Sequence, residues 1–150
     1  MANYSREIAH MLDRLYTKIL SQDKNGYFKN DIALRLNLME LLIIKRVGEA
    51  ETIRLNVLID ALEIDRNLVT QAIKKLCSLK LAHKSKDPED GRGQCISLLP
   101  SGHALYGQIL NHQKDELDFI LSDVTINEEK TILKFISKIV QYHTEKFEIK

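Results

Sequence analysis

Little in this chain interrupts a helix. Its 150 residues hold two prolines and six glycines, which leaves few turns and favours long helical elements. There is no tryptophan, and there are two cysteines, Cys77 and Cys95. Two cysteines make no disulfide scaffold and fit a reducing, cytoplasmic setting. No apolar run approaches the roughly 18 residues of a membrane span. The longest, Leu41-Leu42-Ile43-Ile44, is closed by Glu40 and Lys45, so no membrane partner is expected. Neither end carries a lipidation motif, and the segment from Met1 to Glu7 has no apolar signal-peptide core. An excess of one charge is missing as well. The chain has 22 Lys and Arg against 21 Asp and Glu, a formal net charge of +1. A polyanionic partner therefore has to be argued from where the charges lie.

The chemistry of an enzyme is also missing. The sequence has no Gly-rich phosphate loop, no nucleophile elbow and no paired-acid motif, so neither catalysis nor a cofactor is expected. The histidines, His10, His83, His103, His112 and His143, stand singly. His112 with Asp115 or Glu116 has helical spacing that could hold a metal ion, but no third ligand is identifiable, so no metal centre is expected. His143 reads as an interface histidine on an apolar helix face. Residues 1–30 hold no cysteine, Cys77 reads as core, and Cys95 lies on a short strand with an unassigned face. A redox sensor needs an exposed thiol of depressed pKa, so redox sensing is not the role expected here.

What is present is ordinary globular material, 44% hydrophobic and 29% charged, which excludes bulk disorder. Ile8, Met11, Leu12, Leu15 and Ile19 recur at helical spacing over residues 4–21. Residues 36–47 form a densely apolar, central helix that is expected to end at Gly48. Two short helices follow, at about 55–62 and 66–79, with Asp65 placed to cap the second. In that second helix Leu68, Val69, Ala72, Ile73 and Leu76 are expected to face the core. Arg66, Asn67, Thr70, Gln71, Lys74 and Lys75 face outward. The period then changes, and residues 81–86 and 94–98 read as two short strands around the polar turn Asp87-Pro88-Glu89-Asp90-Gly91-Arg92-Gly93. Pro100 suits the first position of a helix that runs to about Ser122, with Leu105, Ile109, Leu117 and Ile120 as apolar anchors. The last helix opens on a capping box, Thr125 with Glu128, and carries Ile132, Leu133, Ile136, Ile139, Val140, His143 and Phe147 on one face.

Helix–turn–helix followed by a hairpin is the plan of a winged helix, a DNA-binding architecture. The fold class expected is mainly α with a small β-hairpin wing, as one domain over residues 1–150. Residues 38–99 supply the winged helix-turn-helix. The helices of 1–24 and 101–150, whose apolar stripes lack an evident partner in so small a core, are expected to bury against a second copy in a C2 homodimer.

The charges are distributed accordingly. Residues 65–92 hold seven basic residues, Arg66, Lys74, Lys75, Lys80, Lys84, Lys86 and Arg92, and four acids, Asp65, Asp87, Glu89 and Asp90, so this segment carries +3 and the rest of the chain −2. Lys and Arg contacts to phosphates supply most non-specific DNA affinity. Arg can also pair with guanine, Asn and Gln with adenine, and the Thr methyl with thymine. Alone, the outward face of residues 66–75 is an ordinary solvated helix surface. Followed by a basic hairpin, it reads as a DNA-reading face. Near-neutral total charge keeps a second reading open, a winged-helix protein–protein interaction module that binds no DNA.

Several of these residues carry a likeness to a known family. Ile64-Asp65-Arg66-Asn67-Leu68-Val69-Thr70, then Lys75-Leu76, then Asp87-Pro88-Glu89-Asp90-Gly91-Arg92 and Ser97-Leu98-Leu99-Pro100-Ser101-Gly102 together resemble the MarR family of bacterial transcriptional regulators. Its most specific signature is the Asp-Pro-x-Asp-x-Arg wing followed by Ser-Leu-x-x-x-Gly. The resemblance implies a dimeric, ligand-responsive regulator, most often a repressor, on a pseudo-palindromic operator. Residues 66–79 would lie in the major groove, and Lys84 and Lys86 would meet phosphates. Arg92 would reach the minor groove or its phosphates, with Asp90 holding the wing tip. Many relatives respond to aromatic or lipophilic anions, and the positions implied for such an effector are His10, Arg14, Tyr16, Tyr27, Phe28 and Arg35. The chain departs from the family pattern at three places. Glu63 and Lys80 stand where glycine is usual, so a left-handed backbone there costs on the order of 1 kcal/mol, or the turns differ. Leu99 stands where a capping threonine is usual.

Overall fold

The computed structural model describes residues 3–25 and 36–148. Nine elements follow in order: α1 (Ser5–Asn25), α2 (Leu38–Ala50), β1 (Thr52–Arg54), α3 (Leu55–Leu62), α4 (Arg66–Ser78), β2 (Ala82–Lys86), β3 (Gln94–Leu98), α5 (Pro100–Ile120) and α6 (Ile126–Glu148). They form two compact units, residues 1–110 and residues 111–150, with the boundary inside α5.

The core of the first unit grows from helix faces that the sequence spacing defines. On α4, Val69, Ala72, Ile73 and Leu76 are buried at positions three and four apart. They pack in one cluster with Leu41, Ile43, Ile44 and Val47 of α2, Leu58 and Ile59 of α3, Ile96 and Leu98 of β3, and Leu105 and Ile109 of α5. Full burial of side chains of this size is worth about 1.5–3 kcal/mol each, so the helices are held by this cluster more than by their own propensities. Leu68 departs from expectation. It is 49% exposed and lies on the flank of α4 rather than in the core, because the inward stripe of a short helix is filled by its four buried neighbours.

Two other features differ. Helix α2 does not stop at Gly48 but continues to Ala50. Gly48 serves close packing instead: a Cβ there would stand 2.6–2.7 Å from ring atoms of Tyr106. Its N-terminus has a full capping box. Asn37 Oδ1 accepts from the Glu40 amide at 2.9 Å, and Glu40 Oε1 accepts from the Asn37 amide at 2.8 Å. Asp23 near the end of α1 accepts from the Leu38 amide. The expected two strands are joined by a third. Strand β1 pairs antiparallel with β3, Ile53 opposite Ile96 and Arg54 opposite Cys95, giving the order β1-β3-β2. Three residues are too few to show an alternating pattern, so only the pairing reveals β1.

The turns keep the left-handed backbone although glycine is absent. Glu63 has φ 56° and Lys80 has φ 60°. At Lys80 the end of α4 is a Schellman motif: the Leu81 amide donates to the Leu76 carbonyl and the Lys80 amide to that of Cys77, both at 3.0 Å. Leu76 and Leu81, the apolar pair that accompanies this motif, are both buried. Helix α5 is seated on this corner. The Leu99 amide donates to the Leu81 carbonyl at 2.9 Å, and Ser101 Oγ donates to the Lys80 carbonyl at 2.6 Å. Ser101 therefore ties the helix start to the corner, while Leu99, the N-cap position, provides no side-chain acceptor.

In the second unit, α6 opens on the expected capping box. Glu128 accepts from the Thr125 amide at 2.9 Å and Thr125 Oγ1 from the Glu128 amide at 3.2 Å. The bond from the Thr125 amide, then the Thr125 side chain, lowers the Glu128 carboxyl from its ordinary value. Leu133, Phe135, Ile136 and Val140 of α6 are exposed.

Two substitutions test the corner. A Cβ on Gly102 would come within 2.0 Å of the Leu81 carbonyl oxygen, backbone that cannot swing aside. Gly102→Ala is expected to destabilise by about 3 kcal/mol, the upper end for overpacking. Lys80→Gly relieves the left-handed penalty at some entropic cost and is expected to stabilise by about 0.5–1 kcal/mol. Urea denaturation reads both, and a stabilised Gly102→Ala protein would contradict this account of the seat of α5.

Candidate nucleic-acid interface

A helix buried on one side offers its other side to solvent, and α4 does so near its start. Asp65 caps it, its carboxylate accepting from the Asn67 amide at 3.2 Å. Asn67, Gln71 and Lys74 are exposed and Thr70 is half-buried. Arg66 is exposed, and its guanidinium donates to Asn56 Oδ1 of α3 at 2.8 Å. The structure thus brings Arg66, Asn67, Thr70, Gln71 and Lys74 together on the surface of one helix. Lys75 is different. It was expected among the outward cations, yet its Nζ lies 2.9 Å from Glu40 Oε1 of α2. Glu40 is only 3% exposed, so Lys75 supplies the counter-charge of a buried carboxylate.

The hairpin supplies the second wall. Registry across β2 and β3 sets Lys84 opposite Ile96 and Lys86 opposite Gln94, with Ser85 opposite Cys95. Side chains alternate between faces along a strand. Lys84 and Lys86 therefore share one face of β2, and Arg54, Ser85 and Cys95 lie on the other. Lys84 is half-buried and Lys86 exposed.

The wing tip is built by acids turned onto backbone. Asp90 Oδ1 accepts from the Arg92 amide at 3.0 Å, and the Gly93 amide donates to the Asp90 carbonyl at 2.9 Å. Asp90 thus engages the tip through the Arg92 backbone. Asp87 is only 6% exposed. Its Oδ1 accepts from the Glu89 amide at 3.0 Å, and its Oδ2 lies 2.8 Å from Arg54 Nε. Arg54 Nη2 also donates to Glu89. Foremost the hydrogen bond to Glu89, then the charge of Asp87, hold the Arg54 pKa above its ordinary value. Arg54 and Asp87 went unnoticed as working residues in the sequence. Asp87 had a signal in the Asp-Pro start of the turn; Arg54 had none before β1 was seen to pair with β3.

Between wing and helices lies an open groove of about 560 Å³. Arg66 lines it from α4, Asn56 and Val57 from α3, and Asp90, Arg92 and Gln94 from the hairpin, with Arg54 and Asp87 at the root. The residues expected to contact an effector are not assembled here. His10, Arg14 and Tyr16 are exposed along α1, and Tyr27, Phe28 and Arg35 lie outside the described residues. Cys95 is buried and Cys77 half-buried, both as free thiols. His112 Nδ1 is 3.7 Å from Glu116 Oε2, and among the described residues no group of three metal-ligating side chains occurs. No helix among them is long and apolar enough to cross a membrane.

The two neighbouring lysines separate structure from surface. Lys75→Met strands the Glu40 carboxylate and is expected to destabilise by about 1–3 kcal/mol. Lys74→Ala should change stability by less than about 0.5 kcal/mol. Equal urea midpoints for the two variants would contradict the Glu40–Lys75 assignment.

No protein-family model matches the sequence, and no curated protein matches it significantly. Solved structures do. The DNA complex of FabT from Streptococcus pneumoniae is similar over 95% of this chain and 99% of its own, with a TM-score of 0.80 at 14% identity. A MarR protein from Peptoclostridium difficile covers all of this chain with 94% of its own, at a TM-score of 0.73 and 20% identity. BpsR from Bordetella bronchiseptica, whose DNA binding is regulated by 6-hydroxynicotinic acid, matches 89% of this chain with 98% of its own, at a TM-score of 0.67 and 21% identity. With its helix-turn-helix, its three-stranded wing and its long flanking helices, the chain has the winged-helix fold of the MarR-type transcriptional regulators.

Proposed function

We propose that this protein is a transcriptional regulator of the MarR family that binds double-stranded DNA as a homodimer, and that it acts as a ligand-responsive repressor in the cytoplasm. The observation that carries the reading is the pairing of a solvent-facing helix surface rich in base-reading groups with a wing. Asn67, Gln71 and Lys74 are exposed on α4 with Thr70 half-buried beside them, and Arg66 and Arg92 line one groove. In this reading Arg66, Asn67, Thr70, Gln71 and Lys74 meet base edges and phosphates in the major groove. Lys84 and Lys86 neutralise phosphates, and Arg92 enters or borders the minor groove, whose negative potential attracts a guanidinium. Lys75, with 41% of its side chain exposed, borders this face and pairs with Glu40.

Dimerisation supplies the second reading head and the symmetry that a pseudo-palindromic operator mirrors. The exposed Leu133, Phe135, Ile136 and Val140 of α6 support this part of the reading, since apolar side chains in such number mark an interaction surface. An aromatic or lipophilic effector would act by favouring a dimer whose two reading heads are spaced differently. His10, Arg14 and Tyr16, with Tyr27, Phe28 and Arg35, remain the residues proposed to meet it. The reading involves no catalysis and no cofactor.

The test is binding to a random-sequence duplex pool, read by fluorescence anisotropy across a salt series, with the bound fraction sequenced. The expected result is affinity that falls steeply with salt and enrichment of a palindromic motif. Arg66→Ala should relax base preference, at about 1–3 kcal/mol for its position, and Lys84→Ala or Lys86→Ala should each weaken all sequences and reduce the salt slope by about 1. A dimer with no affinity at low salt, unchanged after unfolding, dialysis and refolding to remove any bound effector, would favour the protein–protein interaction module.

A further inference from the structure

Arg54 occupies three roles at once in the chain. It is the last residue of β1, it is the N-cap position of α3 without a side-chain capping bond, and its guanidinium reaches the root and tip of the wing. Nε meets Asp87 at 2.8 Å and Nη2 meets Glu89. The strand register explains the reach. Arg54 lies opposite Cys95, which in turn lies opposite Ser85. Two residues further on, the Asp87 amide donates to the Gly93 carbonyl at 3.0 Å, so Arg54, Ser85, Cys95 and Asp87 share one face of the sheet. A side chain at the junction of β1 and α3 thus grips the turn that carries Arg92.

Resting on the DNA-binding reading, we propose that Arg54 is a positioning residue, which sets the wing against the helix-turn-helix by clamping Asp87 and Glu89 and so fixes how far Arg92 stands from Arg66 across the groove. The strands of the wing are anchored by the pairing of β3 with β1 and by the buried Ile96 and Leu98, whereas the tip is unpacked: Pro88, Glu89, Asp90, Gly91 and Arg92 are all exposed. The groove between the two arginines is lined at its root by Arg54 and Asp87. Asp87 is buried and accepts from the Glu89 amide as well as from Arg54, so the clamp pulls on a residue already tied to the turn. A wing held in its bound position avoids the ordering cost of binding.

Charge makes the proposal separable from simple attraction. Arg54→Ala removes a cation, so a weaker complex alone would not distinguish a clamp from a phosphate contact. Asp87→Asn removes an anion close to the DNA-facing groove. Electrostatics alone would then tighten binding, whereas loss of the clamp weakens it. The experiment measures anisotropy for the unaltered protein, Arg54→Ala, Asp87→Asn and the double variant. The probes are a duplex enriched from the random pool and an unselected duplex, and urea denaturation confirms folding. The expected result is that each single variant weakens the enriched duplex roughly fivefold or more. The double variant should be no weaker than the worse single one, since both remove the same interaction. Glu89→Gln, at a far more exposed partner, keeps the Asp87 arm and should lose less.

Asp87→Asn binding as tightly as the unaltered protein or more so, with a folded variant, would overturn the clamp. So would losses that multiply in the double variant. Hydrogen exchange in the free protein gives an arm that needs no DNA: Arg54→Ala should speed exchange of the Asp87 and Gly93 amides while the amides of α4 keep their protection. Unaltered exchange would refute the clamp whatever the DNA result. Fast exchange in a protein that binds no duplex would place the failure in the DNA-binding reading, and with it in the purpose assigned to Arg54.

Discussion

Burial of one face of α4 is the constraint on which the remainder of the first unit depends. Val69, Ala72, Ile73 and Leu76 are buried against α2, α3 and the sheet, and this fixes the rotation of the helix about its own axis. Once that rotation is set, Asn67, Gln71 and Lys74 have nowhere to point but outward. The outward polar surface of α4 is therefore a by-product of core packing: a shift of the buried stripe by one residue would turn the helix by about 100° and take the polar residues off the surface. The same burial places the C-terminus of α4 where its Schellman corner receives α5. The outward face of α4 and the start of α5 are thus fixed by one cluster of apolar contacts.

Polar contacts then divide the charges of the segment between structure and surface. Of two adjacent lysines, Lys75 is taken up by Glu40 and Lys74 is left exposed. Of the three acids in the wing, Asp87 is buried on Arg54 and the Glu89 amide, and Asp90 accepts from the Arg92 amide. Their carboxylates are occupied in shaping the turn. Arg92 stays exposed, with its backbone held and its guanidinium projecting. Only Asp87 of these acids is buried; Glu89 and Asp90 share the exposed tip with Arg92.

Much of this was legible from residue spacing. The α4 stripe, the Asp65 cap, the Pro100 helix start, the Thr125–Glu128 box and the polar hairpin turn each rest on local rules, in which neighbours along the chain are neighbours in space. What stayed hidden depends on pairs distant in sequence. Strand β1 is three residues long and exists only because β3 lies beside it. Lys75 reads as one more surface cation until Glu40, 35 residues away in sequence, is found beneath it. Arg54 is likewise silent until the register brings it onto the face of Asp87. Leu68 was misplaced for a related reason. An apolar residue at helical spacing is assigned to the core by pattern alone, but how wide a stripe the core can cover is set by the elements packed on it.

The left-handed residues show how the fold tolerates a locally unfavourable choice. Glu63 and Lys80 close the two turns that flank α4, and each holds a conformation that costs a non-glycine residue on the order of 1 kcal/mol. Both corners are nevertheless kept. At Lys80 the corner makes two backbone bonds, buries Leu76 against Leu81, and receives the Ser101 hydroxyl and the Leu99 amide of the α5 start. Unmaking it would lose all of these together, and that loss exceeds the strain of one residue. A rearranged turn would also rotate or shorten α4 and expose its buried stripe. Tertiary packing thus overrides local preference at these positions. The departures from glycine leave both turns in the left-handed conformation, so the spacing of α3, α4 and the wing survives a sequence that disfavours it locally.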